Sequence, residues 1–126
     1  MKMLDINGDT VRVNVDPSQY PIRGKMSRSK IQYEVGEKLV DKFALYNILE
    51  EWPIPNSRLS IDFFIPQLGI VIEVDGQQHN KFSKFFHGTI DNFMKQKERD
   101  KRKEDWCSIN NLTLVRIVEP NQVENI

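Results

Sequence analysis

Two short runs rich in β-branched residues, 58–65 and 69–75, flank Pro66-Gln67-Leu68-Gly69, and this pattern predicts an antiparallel hairpin. A four-residue loop sets Ile65 opposite Ile70. Counting outward then sets Asp62 opposite Glu73 and Ser60 opposite Asp75. Period-two alternation collects Leu59, Ile61, Phe63, Ile70, Ile72 and Val74 on one apolar face and the three acids with Ser60 on the other. Directly opposed carboxylates, with Cβ atoms about 4.5–5.5 Å apart, repel each other. A divalent cation that takes one oxygen from each turns that repulsion into binding, and an all-oxygen set suits Mg²⁺ or Mn²⁺. The plainer alternative is that these acids solvate the outer face of an edge hairpin.

The flanking segments are readable by the same rules. Leu4, Ile6, Val11, Val13 and Val15 alternate around Asn7-Gly8, which predicts a small β-ribbon over residues 3–15. From 17 to 30 the chain carries Arg23, Lys25, Arg28 and Lys30 with no acid and reads as an extended basic arm. Ser29 followed by Gln32 fits a capping box. Ile31, Val35, Leu39, Phe43, Tyr46 and Leu49 then supply an apolar stripe at helical spacing, predicting a helix over 30–51 that ends at Trp52-Pro53. A loop follows the hairpin, Thr89 caps a second helix over about 90–108, and Asn110-Asn111 turns the chain into a strand over 112–117.

At 126 residues the chain suits one domain: ribbon and arm over 1–28, a core over 29–117 and a tail over 118–126. Lys plus Arg and Asp plus Glu number 18 each, so a nucleic-acid partner has to be argued from where the charges lie. Cys107 is the single cysteine, which excludes an intramolecular disulfide and a four-cysteine zinc site and makes a reducing compartment the default. No apolar run approaches the ~20 residues that span a bilayer, and the start has no signal-peptide core. The expectation is a cytoplasmic protein with no membrane partner.

Several residues join the acid pair as candidates. Glu34 lies about 60° off the centre of the first helix's apolar stripe at ~100° per residue, so it flanks the face toward the sheet; the alternative is a surface pair with Lys38. Asp100 shares a seven-residue spacing with Phe93 and Cys107, which puts a carboxylate where a core side chain belongs. Its alternative is a buried salt bridge with a nearby Lys or Arg, for instance Arg116. His79 follows the second strand closely enough to accept a proton from water at the site, and His87 is a weaker second candidate. Arg23, Lys25, Arg28 and Lys30, with Lys81 and Lys84 in the loop, are the expected phosphate contacts. One face of the basic run from 95 to 103 can add to that surface, while its exposed positions read as a solvated helix face with i,i+4 pairs.

Four pieces, Ser60-Ile61-Asp62-Phe63-Phe64-Ile65-Pro66, Ile72-Glu73-Val74-Asp75-Gly76-Gln77-Gln78-His79, Arg99-Asp100 and Leu114-Val115-Arg116-Ile117, together resemble the PD-(D/E)XK nuclease superfamily. Similarity is greatest to its very-short-patch-repair-like endonucleases and to the homing endonucleases with an E-D-x-H-D signature. The resemblance implies an α/β, restriction-endonuclease-like core of αβββαβ type, a mixed sheet flanked by helices. It also implies Mg²⁺- or Mn²⁺-dependent hydrolysis of double-stranded DNA by an endonuclease. Asp62 matches the first metal aspartate, Glu73 the acid of the next strand, Glu34 the helical glutamate, His79 the catalytic histidine and Asp100 the late helical aspartate. Asp75 stands where the superfamily has lysine, which shifts the role of base to His79 and leaves Gln77 as a polar group near the water. A structure-selective nuclease for Holliday junctions or flaps, or an inactive DNA-binding module, are the alternatives on this fold. Cutting both strands makes a homodimer plausible by symmetry.

Overall fold

The computed structural model describes residues 1–75 and 88–126. The expected hairpin forms from β4 (Ser60–Ile65) and β5 (Ile70–Val74), paired antiparallel with Phe63 opposite Ile72, Phe64 opposite Val71 and Ile65 opposite Ile70. Gly69 closes the loop at φ +64, a conformation that strains any residue with a Cβ. On the far side of β5, β6 (Thr113–Ile117) pairs in parallel, with Ile72 beside Val115 and Glu73 beside Arg116. Parallel neighbours need a crossover, and it carries a helix of residues Ile90–Ile109 whose cap is Thr89, accepting from Asn92 N at 3.1 Å.

The first helix is shorter than its apolar stripe suggests. α1 spans Lys30–Lys42, and residues Leu49–Pro53 form β3, antiparallel to β4, instead of a last helical turn. The reason is burial. Leu49 and Trp52 disappear into the sheet opposite Phe64 and Ile61, burial that a continued helix would not give them, whereas Tyr46, the stripe residue between Phe43 and Leu49, stays 41% exposed beside the Phe43 ring. With the crossover helix as α2, the chain runs α1, β3, β4, β5, α2, β6, and the mixed sheet has the order β3-β4-β5-β6.

Both faces of this sheet are covered. Val35 and Leu39 of α1 pack with Phe63, Ile65, Ile72 and Ile117, while Trp106 and Cys107 of α2 pack with Leu49, Trp52, Ile61, Phe64 and Val71. The single apolar face expected for the hairpin is therefore split: Leu59 and Ile61 belong to the α2 side and Phe63 to the α1 side. Alternation breaks at Asp62, across from Glu51, whose φ of 53° is left-handed. α1 approaches β4 closely at Gly36, where a Cβ would stand 3.2 Å from Phe63 Cζ.

The ends of the chain are tied to this core. β1 (Lys2–Leu4) and β2 (Thr10–Arg12) make the ribbon, and two buried indoles hold it, Trp106 Nε1 donating to Leu4 O at 2.9 Å and Trp52 Nε1 to Asn14 O at 2.8 Å. The basic segment is no free arm. Glu50, 1% exposed on β3, accepts from Arg23 N at 2.7 Å, Ser27 Oγ at 2.7 Å and Gln32 Nε2 at 2.9 Å, and its own N–H reaches Tyr20 O. The supposed tail folds as a 3₁₀ helix, Pro120–Asn125, with Val123 buried in the α1-side core and Lys42 Nζ donating to the carbonyls of Val123, Glu124 and Ile126. Among the described residues no helix is long and apolar enough to cross a membrane.

Glu50→Ala leaves three donors without their acceptor, at about 1.5–3 kcal/mol for each bond to a charged group before relaxation. The expected outcome in thermal unfolding is a melting temperature lower by at least about 8 °C, at roughly 4 °C per kcal/mol for a domain of this size. A variant that melts within a degree or two of wild type would show that the carboxylate does not hold the basic segment in place.

Candidate functional site

The β4–β5 ladder reaches Phe63 and Ile72, and at the next pair two side chains enter it. Asp62 N donates to Glu73 Oε2 at 2.8 Å, and Val74 N donates to Asp62 Oδ2 at 2.7 Å. Each acid thus commits one oxygen to the backbone of the opposite strand. The two carboxylates are fixed by the sheet itself. Of the remaining oxygens, Asp62 Oδ1 accepts nothing from the described residues, and Glu73 Oε1 receives Lys103 Nζ from α2 at 2.5 Å. The expected opposition of Asp62 and Glu73 is present. That of Ser60 and Asp75 is not part of the ladder, which ends at Phe63 and Ile72: Asp75 N donates to Ile117 O on β6, and the Ser60 hydroxyl donates to Glu51 Oε2 on β3 at 3.2 Å.

This pair is buried, not spread on an outer face. Asp62 is 8% and Glu73 3% exposed. Burial, followed by the charge of Glu73, pushes the Asp62 carboxyl up to about 8; the Val74 amide and the Lys103 charge pull the other way, and Glu51 adds to the rise. Glu51 joins the row from β3, its side chain held by Gln32 Nε2 at 2.9 Å and facing Arg28 at 3.7 Å. Behind the site, burial first and Glu73 second raise the Cys107 thiol to about 12, so it is no nucleophile at neutral pH.

The acids floor a cleft of about 320 Å³ whose lining includes Arg28, Ser29 and Gln32 at the start of α1 and Gln96, Arg99, Asp100 and Lys103 along α2. Asp75 lies at its edge and is taken by Arg116, NH1 to both carboxylate oxygens at 3.1 and 2.9 Å; NH2 of the same arginine reaches Glu104 and the Asp100 carbonyl. Asp75 thus joins the end of β5 to β6 through an ion pair. Two hard carboxylate donors with room for water match the way Mg²⁺ is commonly bound, through one or two carboxylates. Among the described residues, no three of His, Cys, Asp and Glu converge as a ready ligand set.

The other expected residues fall in three groups. Asp100 and Arg28 line the cleft, Arg28 with a side chain 66% exposed. Glu34 is half-buried on α1 and does not line it; Gln32 of the same helix does. Arg23, Lys25 and Lys30 are exposed but lie outside the lining. Gln77, His79, Lys81, Lys84 and His87 lie outside the described residues. Sequence reasoning missed Glu51, assigned to a helix, and Lys103, assigned to a solvated helix face. Its one legible signal was the three-residue step from Asp100 to Lys103, which puts both on one side of α2.

Comparison with known proteins gives relatives but no family. Uncharacterized protein 033L of Invertebrate iridescent virus 3 is 37% identical over 65 residues, 52% of this chain and 34% of that protein. Uncharacterized protein 307L of Invertebrate iridescent virus 6 is 38% identical over 71 residues, 56% of this chain and 35% of that protein. The chain spans about a third of the length of these curated relatives. No family profile matches it, and no solved structure does.

The Asp62 shift has a signed consequence for stability. In the folded chain the carboxyl keeps its proton up to about pH 8, against a usual value of 3.8, so folding becomes less favourable as pH rises through that window. Asp62→Asn keeps an oxygen for Val74 N and cannot ionise. In EDTA its melting temperature is expected to exceed wild type by more at pH 8 than at pH 4.5, with a difference on the order of 5 °C. A variant that melts below wild type at both pH values would mean that the carboxylate is needed charged.

Proposed function

We propose that this chain is a metal-dependent DNA endonuclease with a restriction-endonuclease-like core, holding Mg²⁺ or Mn²⁺ through Asp62 and Glu73. The observation that carries the reading is the interlocked acid pair, with one oxygen of each carboxylate pinned by backbone, Asp62 Oδ1 accepting nothing from the described residues and Glu73 Oε1 meeting Lys103 at the cleft. A carboxylate pair that served only to solvate a surface has no reason to be built into a ladder and covered by two helices. The order α1, β3, β4, β5, α2, β6 with β6 parallel to β5 supports the same reading.

Phosphodiester cleavage needs a strengthened nucleophile and positive charge at the phosphate, and a bound divalent ion supplies both. Asp62 and Glu73 would hold it. Arg28 and Arg99 stand at the cleft and can bond phosphate oxygens in two-pronged fashion, orienting the backbone over the acids. Asp100 and Gln96, on the same stretch of α2, are polar groups positioned to order water. His79, the proton acceptor expected from sequence, belongs to the segment beyond β5. An inactive DNA-binding module is the weaker reading, since an acidic floor repels the polyanion it would have to bind.

Supercoiled plasmid incubated with Mg²⁺ or Mn²⁺ is expected to be nicked or linearised by wild type, untouched in EDTA, and untouched by Asp62→Asn. Arg28→Ala with Arg99→Ala is expected to flatten the dependence of log K on log salt by about 0.9 per lost phosphate contact on duplex DNA. Cutting that survives in Asp62→Asn would remove the acid pair from the chemistry, and an unchanged slope would place the DNA elsewhere.

A further inference from the structure

Lys103 lines the cleft and is bonded to one of the two acids, and the proposed hydrolysis does not use it. Its ammonium touches Glu73 at Oε1, the oxygen that the sheet leaves available, while Oε2 is held by Asp62 N. With Asp62 Oδ2 held by Val74 N, the oxygens that the backbone of the described residues leaves for a cation are Asp62 Oδ1 and Glu73 Oε1. One of those two is taken.

We propose that Lys103 is the built-in occupant of the cation position at the acid pair, so that a divalent ion gains Glu73 only by displacing the Lys103 ammonium. This inference rests on the reading that Asp62 and Glu73 bind a metal, and it adds the residue that sets how tightly and when they do so. Lys103 is a positioning residue in this role.

Three features carry it. The carboxylates are anchored by amides of the opposite strands and stay in place whichever cation is present, so the partner is exchangeable and the pair is not. Lys103 comes from α2, a different element from the acids, on a flexible four-carbon stem. Its side chain is 16% exposed where that of Glu73 is 4% and it lines the cleft, so of the two partners the lysine is the one nearer solvent. A buried charge without a partner is costly, and the lysine provides one whenever no ion is bound. A lysine serving stability alone predicts something different: its loss would weaken the fold and leave metal affinity unchanged or lower.

Manganese binding to the whole chain, measured by calorimetry, separates the two. Lys103→Gln removes the competing charge while keeping a donor for Glu73, and is expected to bind Mn²⁺ at least about tenfold more tightly than wild type, a small part of the contact energy between unit charges near a protein surface. Lys103→Arg, which keeps the charge, is expected to bind no more tightly than wild type. Lys101→Gln, on the exposed face where Lys101 pairs with Asp105, controls for general loss of positive charge and is expected to change little. Equal or weaker Mn²⁺ binding by a folded Lys103→Gln, with wild type binding, overturns the lysine's role and leaves the metal reading standing. No Mn²⁺ binding by any of the four proteins overturns both. Wild type alone gives a second readout that needs no variant: ¹⁵N-detected lysine spectra should show a slowly exchanging Lys103 ammonium that is lost on adding Mg²⁺. Its persistence at saturating Mg²⁺ would also sink the proposal.

Discussion

Burying two carboxylates face to face between neighbouring strands is the constraint from which the rest of this fold follows. Desolvating an ionised carboxylate costs several kcal/mol even after relaxation, and placing two together adds their repulsion. The chain meets this with three separate devices: amides of the opposite strands turned onto the carboxylates, a proton held on Asp62, and an ammonium brought in from α2. Each requires something of the architecture. The amides come from a ladder that opens at this pair, the proton requires cover from solvent, and the ammonium requires α2 to cross that face of the sheet.

The opening of the ladder in turn explains the behaviour of β4. A strand that kept strict alternation would send Ile61 and Phe63 to the same side. Here Ile61 packs under Trp52 and Trp106 while Phe63 meets α1, and the switch falls at Asp62, beside the left-handed Glu51. The edge strand β3 contributes a further buried acid, Glu50, which gathers the backbone of Arg23, the hydroxyl of Ser27 and the amide of Gln32. That carboxylate sets the path of the chain into α1 and with it the location of Arg28 at the cleft. Ser29 still caps the helix, but the Gln32 side chain reaches Glu50 and Glu51 instead of closing the capping box.

What the sequence made legible was what short-range chemistry decides. The hairpin register followed from a four-residue loop with Gly69, the cap of α2 from Thr89, and the ribbon from Asn7-Gly8. β3 was hidden because Phe43, Tyr46 and Leu49 continue a helical period by accident; only the sheet into which Leu49 and Trp52 are buried distinguishes the two readings. Asp62 and Glu73 could be placed opposite each other from local rules. Lys103 could not be placed on them, because a contact thirty residues distant depends on how α2 crosses the sheet, and within its own run it looks like any solvated lysine. The same holds for Arg116, which meets Asp75 through the parallel pairing of β5 and β6 and reaches Glu104 and the Asp100 carbonyl on α2 as well.

The two indole hydrogen bonds to the ribbon give the molecule an optical probe of its own. Trp52 and Trp106 are the only tryptophans in the chain, they lie 6.1 Å apart between ring centres, and both are almost wholly shielded from water. One is on β3, next to Glu51; the other is on α2, one turn beyond Lys103. Emission from this closely coupled pair therefore senses the strand and the helix that flank the acids as well as the attachment of residues 2–14. Loss of the ribbon would expose both rings and shift their spectrum to the red, whereas a local rearrangement of α2 would alter their coupling without that shift, so fluorescence can tell peeling of the N-terminus from motion at the cleft.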